Sequence, residues 1–268
     1  MKASPRPLAD QRRDLIRALM DERGAVRTAD LAAELGVSLV TVRRDLLALE
    51  VAGEAVVVHG GARTANGRVP PADRGQRSGV EVDAKALIAA TAIRRVHEGD
   101  AVFLDSGTTC AAMIPLLARF ERLLVVTTDL HTATALAAIA PHLEIVVAAG
   151  RVDATTASVH GELVAMVLAS FVFDTAFISA TAWQRGYGAT SGTLTYAGSK
   201  RTAISRARHK VLLVDSTKYG IAEPHVVLSL DRFDAVVTDD LVPVEARREL
   251  REAGISLVIA DRESPVDS

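Results

Sequence analysis

The chain has 268 residues, 49% hydrophobic and 24% charged, enough for one large domain or two smaller ones around a substantial core. A net charge of −2 excludes wholesale coating of nucleic acid, and 4% aromatic residues exclude base or sugar stacking as a major theme. The single Cys110 excludes an intramolecular disulfide and a Cys-rich zinc site. No apolar run approaches the roughly 20 residues of a membrane span. With a polar start from Met1 to Gln11 and no signal peptide, the expectation is a cytoplasmic protein.

Residues Asp10 to Glu22 place Leu15, Ile16, Leu19 and Met20 at helical spacing, and Gly24 ends that helix. Thr28 is positioned to cap a second helix, Ala29 to Leu35, with Asp30 in its first turn. Gly36-Val37 makes a tight turn, and Ser38 caps a third helix running through Val40, Val42, Leu46 and Leu49. Two short helices joined by a glycine turn make a helix-turn-helix whose second helix reads DNA. Ala55 to His59 then reads as a strand and Gly60-Gly61 as a turn, which completes a winged helix over residues 1–62. The expected DNA contacts are Thr28, Ser38, Leu39, Thr41, Arg43, Arg44 and, on the wing, His59. Arg43 and Arg44 are adjacent and diverge by about 100°, so one is suited to a base edge and the other to phosphate. The competing reading puts both on a solvated face, paired with Asp45 and nearby acids.

This region resembles the DNA-binding domain of the DeoR-type family of bacterial transcriptional regulators. The resemblance is carried by Leu31 to Ser38, Thr41-Val42-Arg43-Arg44-Asp45-Leu46 and His59-Gly60-Gly61-Ala62.

Residues 63–82 hold Pro70-Pro71, several glycines and Arg63, Arg68, Arg74 and Arg77, without apolar periodicity. They read as an extended linker whose arginines are either solvated charge, the favoured reading, or contacts to DNA phosphates.

From residue 83 to 268, near-continuous apolar strands alternate with helices, the pattern of an α/β domain with a mainly parallel sheet covered on both faces. Such sheets bind ligands beyond the carboxyl ends of their strands. Those ends are polar here: Asp105-Ser106-Gly107-Thr108-Thr109, Thr127-Thr128-Asp129, Gly150-Arg151, Ser179-Ala180-Thr181 and Asp215-Ser216-Thr217-Lys218. Gly107, the hydroxyls beside it and the start of a helix suit a phosphate or carboxylate, although Ser106 or Thr108 could equally be a plain helix cap. Lys200-Arg201 adds positive charge. The expected effector-binding set is Asp105, Ser106, Gly107, Thr108, Thr109, Thr128, Asp129, Gly150, Thr181, Lys200 and Lys218. No catalytic set, metal site or cofactor is assigned.

This half resembles the same family, whose effector domain is related in fold to ribose-5-phosphate isomerase. The matching pieces include Lys85, Gly99-Asp100, Asp105 to Thr109, Asp129, Gly150, Lys200-Arg201 and Asp215 to Gly220. The resemblance implies that Ser106 to Thr109 hold the phosphate of a sugar-phosphate inducer and that Lys200 and Lys218 line the same pocket. It also implies a regulator acting on operator DNA, a repressor more often than an activator; a two-fold symmetric dimer or tetramer is expected because such readers bind half-sites set by their own symmetry. Three departures stand out. Thr128 replaces an Asn, Ala149 a Gly, and Thr181 the Asp of a Gly-Ala-Asp-Gly turn that accepts sugar hydroxyls. They point to an altered effector, with Trp183 either a flat apolar face for it or part of the core. An isomerase- or deaminase-like enzyme, with His160 or Glu162 as base, and a ligand-blind DNA-binding protein are the competing classes.

Overall fold

A computed structural model describes residues 8–23, 25–58, 61–64 and 74–260. The chain divides into two compact units, Met1–Ala72 and Asp73–Ser268.

The first unit runs α1 (Ala9–Arg23), β1 (Ala25–Arg27), α2 (Thr28–Leu35), α3 (Leu39–Val51), β2 (Ala55–Val58) and β3 (Gly61–Thr64). Its antiparallel sheet has the order β1-β3-β2. Gly36 takes the left-handed conformation (φ 64°) that closes α2, a position costly for a residue with a Cβ. The apolar faces of all three helices meet the strands around Ile16, Met20, Leu31, Val42, Leu46 and Leu49. Strand β1 carries no sequence signal of its own. It exists because β3 gives it a partner, with Gly61 packed where a Cβ would lie 2.1 Å from the Val26 carbonyl.

The second unit opens with α4 (Arg74–Gly79) and α5 (Val82–Ala92), then β4 (Ala101–Leu104), α6 (Thr108–Ala111), α7 (Ile114–Leu117), β5 (Leu124–Thr127), α8 (Leu130–Ile139) and β6 (Glu144–Val147). A hairpin, β7 (Arg151–Asp153) and β8 (Ser158–His160), leads to α9 (Glu162–Ala169) and β9 (Phe173–Ser179). There follow β10 (Ala182–Gln184), β11 (Gly188–Ser191), α10 (Leu194–Ser205), β12 (Ala207–Leu213), β13 (His225–Leu228), β14 (Ala235–Asp239), α11 (Val244–Glu252) and β15 (Leu257–Ala260).

Seven strands form a wholly parallel sheet in the order β15-β14-β12-β9-β4-β5-β6. Their side chains alternate between two cores. Phe103, Leu212 and Val236 enter one; Val102, Leu104, Val211, Leu213, Ala235 and Val237 enter the other. Both faces are therefore apolar, which is why the strands read as continuous hydrophobic runs. The chain grows outward from β4 to β6, then returns to β9 on the other side of β4 and grows the opposite way. The reversal falls between β4 and β9, where an open α/β sheet has its ligand crevice.

The expected linker over 63–82 is corrected. β3 extends to Thr64, and residues 74–79 are helical and belong to the second unit. Arg74 is buried there rather than solvated.

Candidate functional site

On the reader, Ser38 has extended backbone and its Oγ accepts from the Thr41 N–H at 3.1 Å and bonds Thr41 Oγ1 at 2.8 Å, so the two hydroxyls build the cap of α3 together. Val42, Asp45, Leu46 and Leu49 form the buried face of α3. Arg44 lies two residues from Val42, about 200° round the helix, and so opposite the core; Arg43, at about 100°, is on the flank. Both arginines are exposed, as is Leu39. Asp45 does not pair with them. It is buried and accepts from Arg12 Nε at 2.5 Å and Nη2 at 3.1 Å, a forked pair that ties α3 to α1. Thr28 is corrected as a cap: Arg27 occupies the cap position, and Thr28 is the buried first residue of α2. His59 lies outside the described residues.

The second constellation sits on the rim at the β4/β9 reversal. Asp105, at the end of β4 and buried, accepts from the Ser179 N–H at 2.9 Å, from Ser179 Oγ at 2.7 Å and from the Lys200 ammonium. Lys200 also donates to the Ser179 carbonyl at 3.0 Å. Asp105 therefore locks the two central strands together and carries Lys200 to the crevice. Gly107 is extended, and a Cβ there would fall 2.3 Å from Ser179 Oγ; glycine is needed for this packing. Ser106 and Thr108 are half-buried at the turn, and Thr109 Oγ1 is buried with no hydrogen-bond partner among the described residues. The helix that follows, α6, is a single turn of four residues, so hydroxyls and backbone amides, not a long helix dipole, are what this turn offers an anion.

Two neighbouring strand ends repeat the pattern of a buried carboxylate with a cation. Asp129, fully buried after β5, caps α8 through the His131 N–H at 2.9 Å and the Thr132 N–H at 3.3 Å, and its other oxygen accepts from Arg74 Nη1 at 2.6 Å. Asp215, after β12, pairs with Lys218 Nζ at 2.9 Å and accepts from the Thr217 hydroxyl. Burial pushes the Asp215 carboxyl up, but Lys218, the Thr217 hydroxyl and Lys85 together outweigh it and hold it below the usual carboxylate range. Lys85 is buried and donates to the carbonyls of Arg77 at 2.5 Å and Val80 at 2.6 Å. Burial first, then repulsion from Lys218, lowers its ammonium to about 8. The rim thus gathers Arg74, Lys85, Lys200 and Lys218 around three carboxylates.

The family profile described as the DeoR-like helix-turn-helix domain matches residues 12–68, and that of the DeoR C terminal sensor domain matches residues 80–240. The chain belongs to the DeoR family of transcriptional regulators. Among curated relatives, it is 36% identical over 255 residues to the uncharacterized HTH-type transcriptional regulator YgbI of Escherichia coli K12, covering 94% of this chain and 98% of the relative. It is 29% identical over 231 residues to the lactose phosphotransferase system repressor of Staphylococcus epidermidis RP62A, covering 85% and 91%. Among solved structures, ribose 5-phosphate isomerase A of Methanocaldococcus jannaschii aligns over 52% of this chain and 54% of that one, with 18% identity and a TM-score of 0.38.

Within this DeoR-family chain the remaining expected residues separate. Thr128 is buried, its carbonyl accepting from the Val159 N–H at 2.8 Å. Gly150 is required by packing, since a Cβ would meet the His160 carbonyl at 2.7 Å and Val164 Cγ2 at 2.8 Å. Thr181 is exposed on the β9–β10 turn. Trp183 is fully buried, edge-on to Tyr219 at 4.8 Å, and donates Nε1–H to the Asp215 carbonyl at 3.2 Å. It is core, bracing the loop that carries Asp215 and Lys218, and offers no face to a ligand. Sequence reasoning missed Arg74, hidden in a segment of linker composition. It also missed Tyr196, whose hydroxyl bonds Asp153 and, at 3.0 Å, Thr156 Oγ1. Tyr196 stands one turn before Lys200 on α10, and that i, i+4 spacing was the available signal.

Proposed function

We propose that this DeoR-family regulator is a repressor, and that a phosphorylated metabolite held at the β4/β9 rim tunes its grip on operator DNA. The reading rests on one observation above the others. A hydroxyl turn whose buried Thr109 Oγ1 has no hydrogen-bond partner among the described residues lies at the sheet's reversal, beside ammonium groups held in place by buried carboxylates. Repression is supported by the named role of the staphylococcal relative. Arg44 reads a base edge, Arg43 takes phosphate, and the protein works as a cytoplasmic homo-oligomer, because readers of this kind act in symmetric pairs on paired half-sites. No cofactor is required. The exposed Thr181 in place of an acid supports a ligand other than the usual sugar.

The test has two steps. Selection from random DNA yields the operator, and a thermal-shift screen of sugar phosphates and other phosphorylated metabolites follows. A ligand at 100 times its dissociation constant stabilises the sensor by about 2.7 kcal/mol and should also change operator affinity. A compound that is steadily converted to product instead would replace this reading with an enzyme. A panel that neither binds nor alters DNA affinity would leave a DNA-binding protein blind to ligand.

A further inference from the structure

Helix α4 has no intrinsic reason to exist. Its sequence, Arg-Gly-Gln-Arg-Ser-Gly, holds two glycines and no apolar residue, and a helix of six residues is not self-supporting in water. Tertiary bonds to the rim hold it. Arg74 Nη1 donates to Asp129 at 2.6 Å, with side-chain exposures of 11% and 0%. The Arg74 N–H donates to the Thr155 carbonyl, in the β7–β8 turn, at 3.2 Å. Lys85 Nζ holds the carbonyls of Arg77 and Val80, at and just beyond the other end of the helix. The helix packs on α6, the turn that carries Thr108 and Thr109. It is also the first element of the sensor after the chain leaves the reader at residue 72.

We propose that Arg74 is a ligand-contacting residue of the anion site, and that α4, which carries it, is the strap through which occupancy of that site reaches the reader. This rests on the rim being the anion site. A guanidinium presents five donors in a planar fork suited to phosphate, and the bond to Asp129 engages Nη1. The second oxygen of Asp129 is committed to the amides of α8, so the carboxylate keeps its place when a second anion arrives. An anion at the hydroxyl turn, on which α4 packs, gives Arg74 a second acceptor besides Asp129. Occupancy therefore tightens the strap. By linkage, whatever draws the strap off the rim weakens the anion by the same factor.

Amide hydrogen exchange on the full chain, with inorganic phosphate as the probe and potassium chloride at equal ionic strength as control, tests this. At saturating phosphate, exchange should slow at least about fivefold both in residues 105–110 and in residues 75–81, with a common midpoint. In Arg74→Gln the strap should exchange fast with or without phosphate, and the midpoint for 105–110 should move to higher phosphate; Arg74→Lys should restore part of both effects. Slowing at 105–110 with no change at 75–81 overturns the strap and leaves the rim as an anion site. No slowing at either segment overturns the rim itself, and the strap with it. An Arg74→Gln chain that responds like the parent removes Arg74 from the site. Should Arg74→Gln not fold, the exchange pattern of the parent and of Arg74→Lys still decides.

Discussion

Removing the Lys200 ammonium leaves Asp105 buried with, among the described residues, only the two donors of Ser179, and an ionised carboxylate stripped of its cation in that setting is costly. Lys200→Met is expected to lose about 3–5 kcal/mol of sensor stability, read from urea unfolding. Adding Asp105→Asn to the same chain should recover most of it, because the stranded charge is then gone. A Lys200→Met chain as stable as the parent would mean that the pair does not join β4 to β9. Lys85 makes a prediction of opposite flavour. Burial and then Lys218 bring its ammonium from 10.5 down to about 8, so between those two values the unfolded chain binds a proton that the folded chain has released. Stability contributed by this group therefore rises as pH climbs from about 8 toward 10.5. Asp215, held below its ordinary value, works at the other end: its contribution is present above the ordinary carboxylate range and is lost as pH falls through its folded value. Urea midpoints across pH should show both limbs; Lys85→Met should abolish the alkaline rise and also weaken the acid limb, because Lys85 is one of the groups that hold the Asp215 carboxyl down.

At the scale of elements, α3 turns a helical phase into two different tasks. Arg44, opposite the buried face of Val42, Leu46 and Leu49, reaches furthest from the core, while Arg43 leaves from the flank. Arg44→Ala should cost about tenfold or more on the selected operator and relax preference at one base position. Arg43→Ala should weaken all sequences alike and reduce the slope of log affinity against log salt by about one. Equal and sequence-blind losses from both would contradict the assignment. Why α3 was legible in the sequence and α4 was not follows from what holds each of them. α3 has its cap in Ser38 and its apolar stripe in its own residues, and the central parallel strands show burial on two faces as apolar runs such as Val102–Leu104, Val211–Leu213 and Ala235–Val237. Helix α4 and the hairpin β7–β8 have neither; both are fixed by partners far along the chain, Asp129 for α4 and, for the hairpin, Tyr196 on Asp153. The same limit applied at the rim. Hydroxyls and lysines at strand ends could be read off, whereas the partner of each carboxylate depended on which strands became neighbours. Gly107 illustrates it: the need for a close approach was legible, and its object, Ser179, was not.

At the scale of the whole molecule, each of the two units has its own hydrophobic core. Communication between them is then a free energy linking two equilibria, and it has to be reciprocal. If the metabolite found in the screen lowers operator affinity by a given factor, saturating operator must lower metabolite affinity by that same factor; couplings of this kind run to about 1–3 kcal/mol, or 5- to 150-fold. Both halves can be measured on the full chain, operator binding with and without metabolite, and metabolite binding with and without operator. Equal factors in the parent, falling together toward one in Arg74→Lys, are the expected result. Unequal factors would mean that binding changes something besides a single shared equilibrium, such as the number of chains assembled on the DNA, and the two measurements repeated at several protein concentrations would expose it, because only assembly makes the apparent coupling depend on concentration.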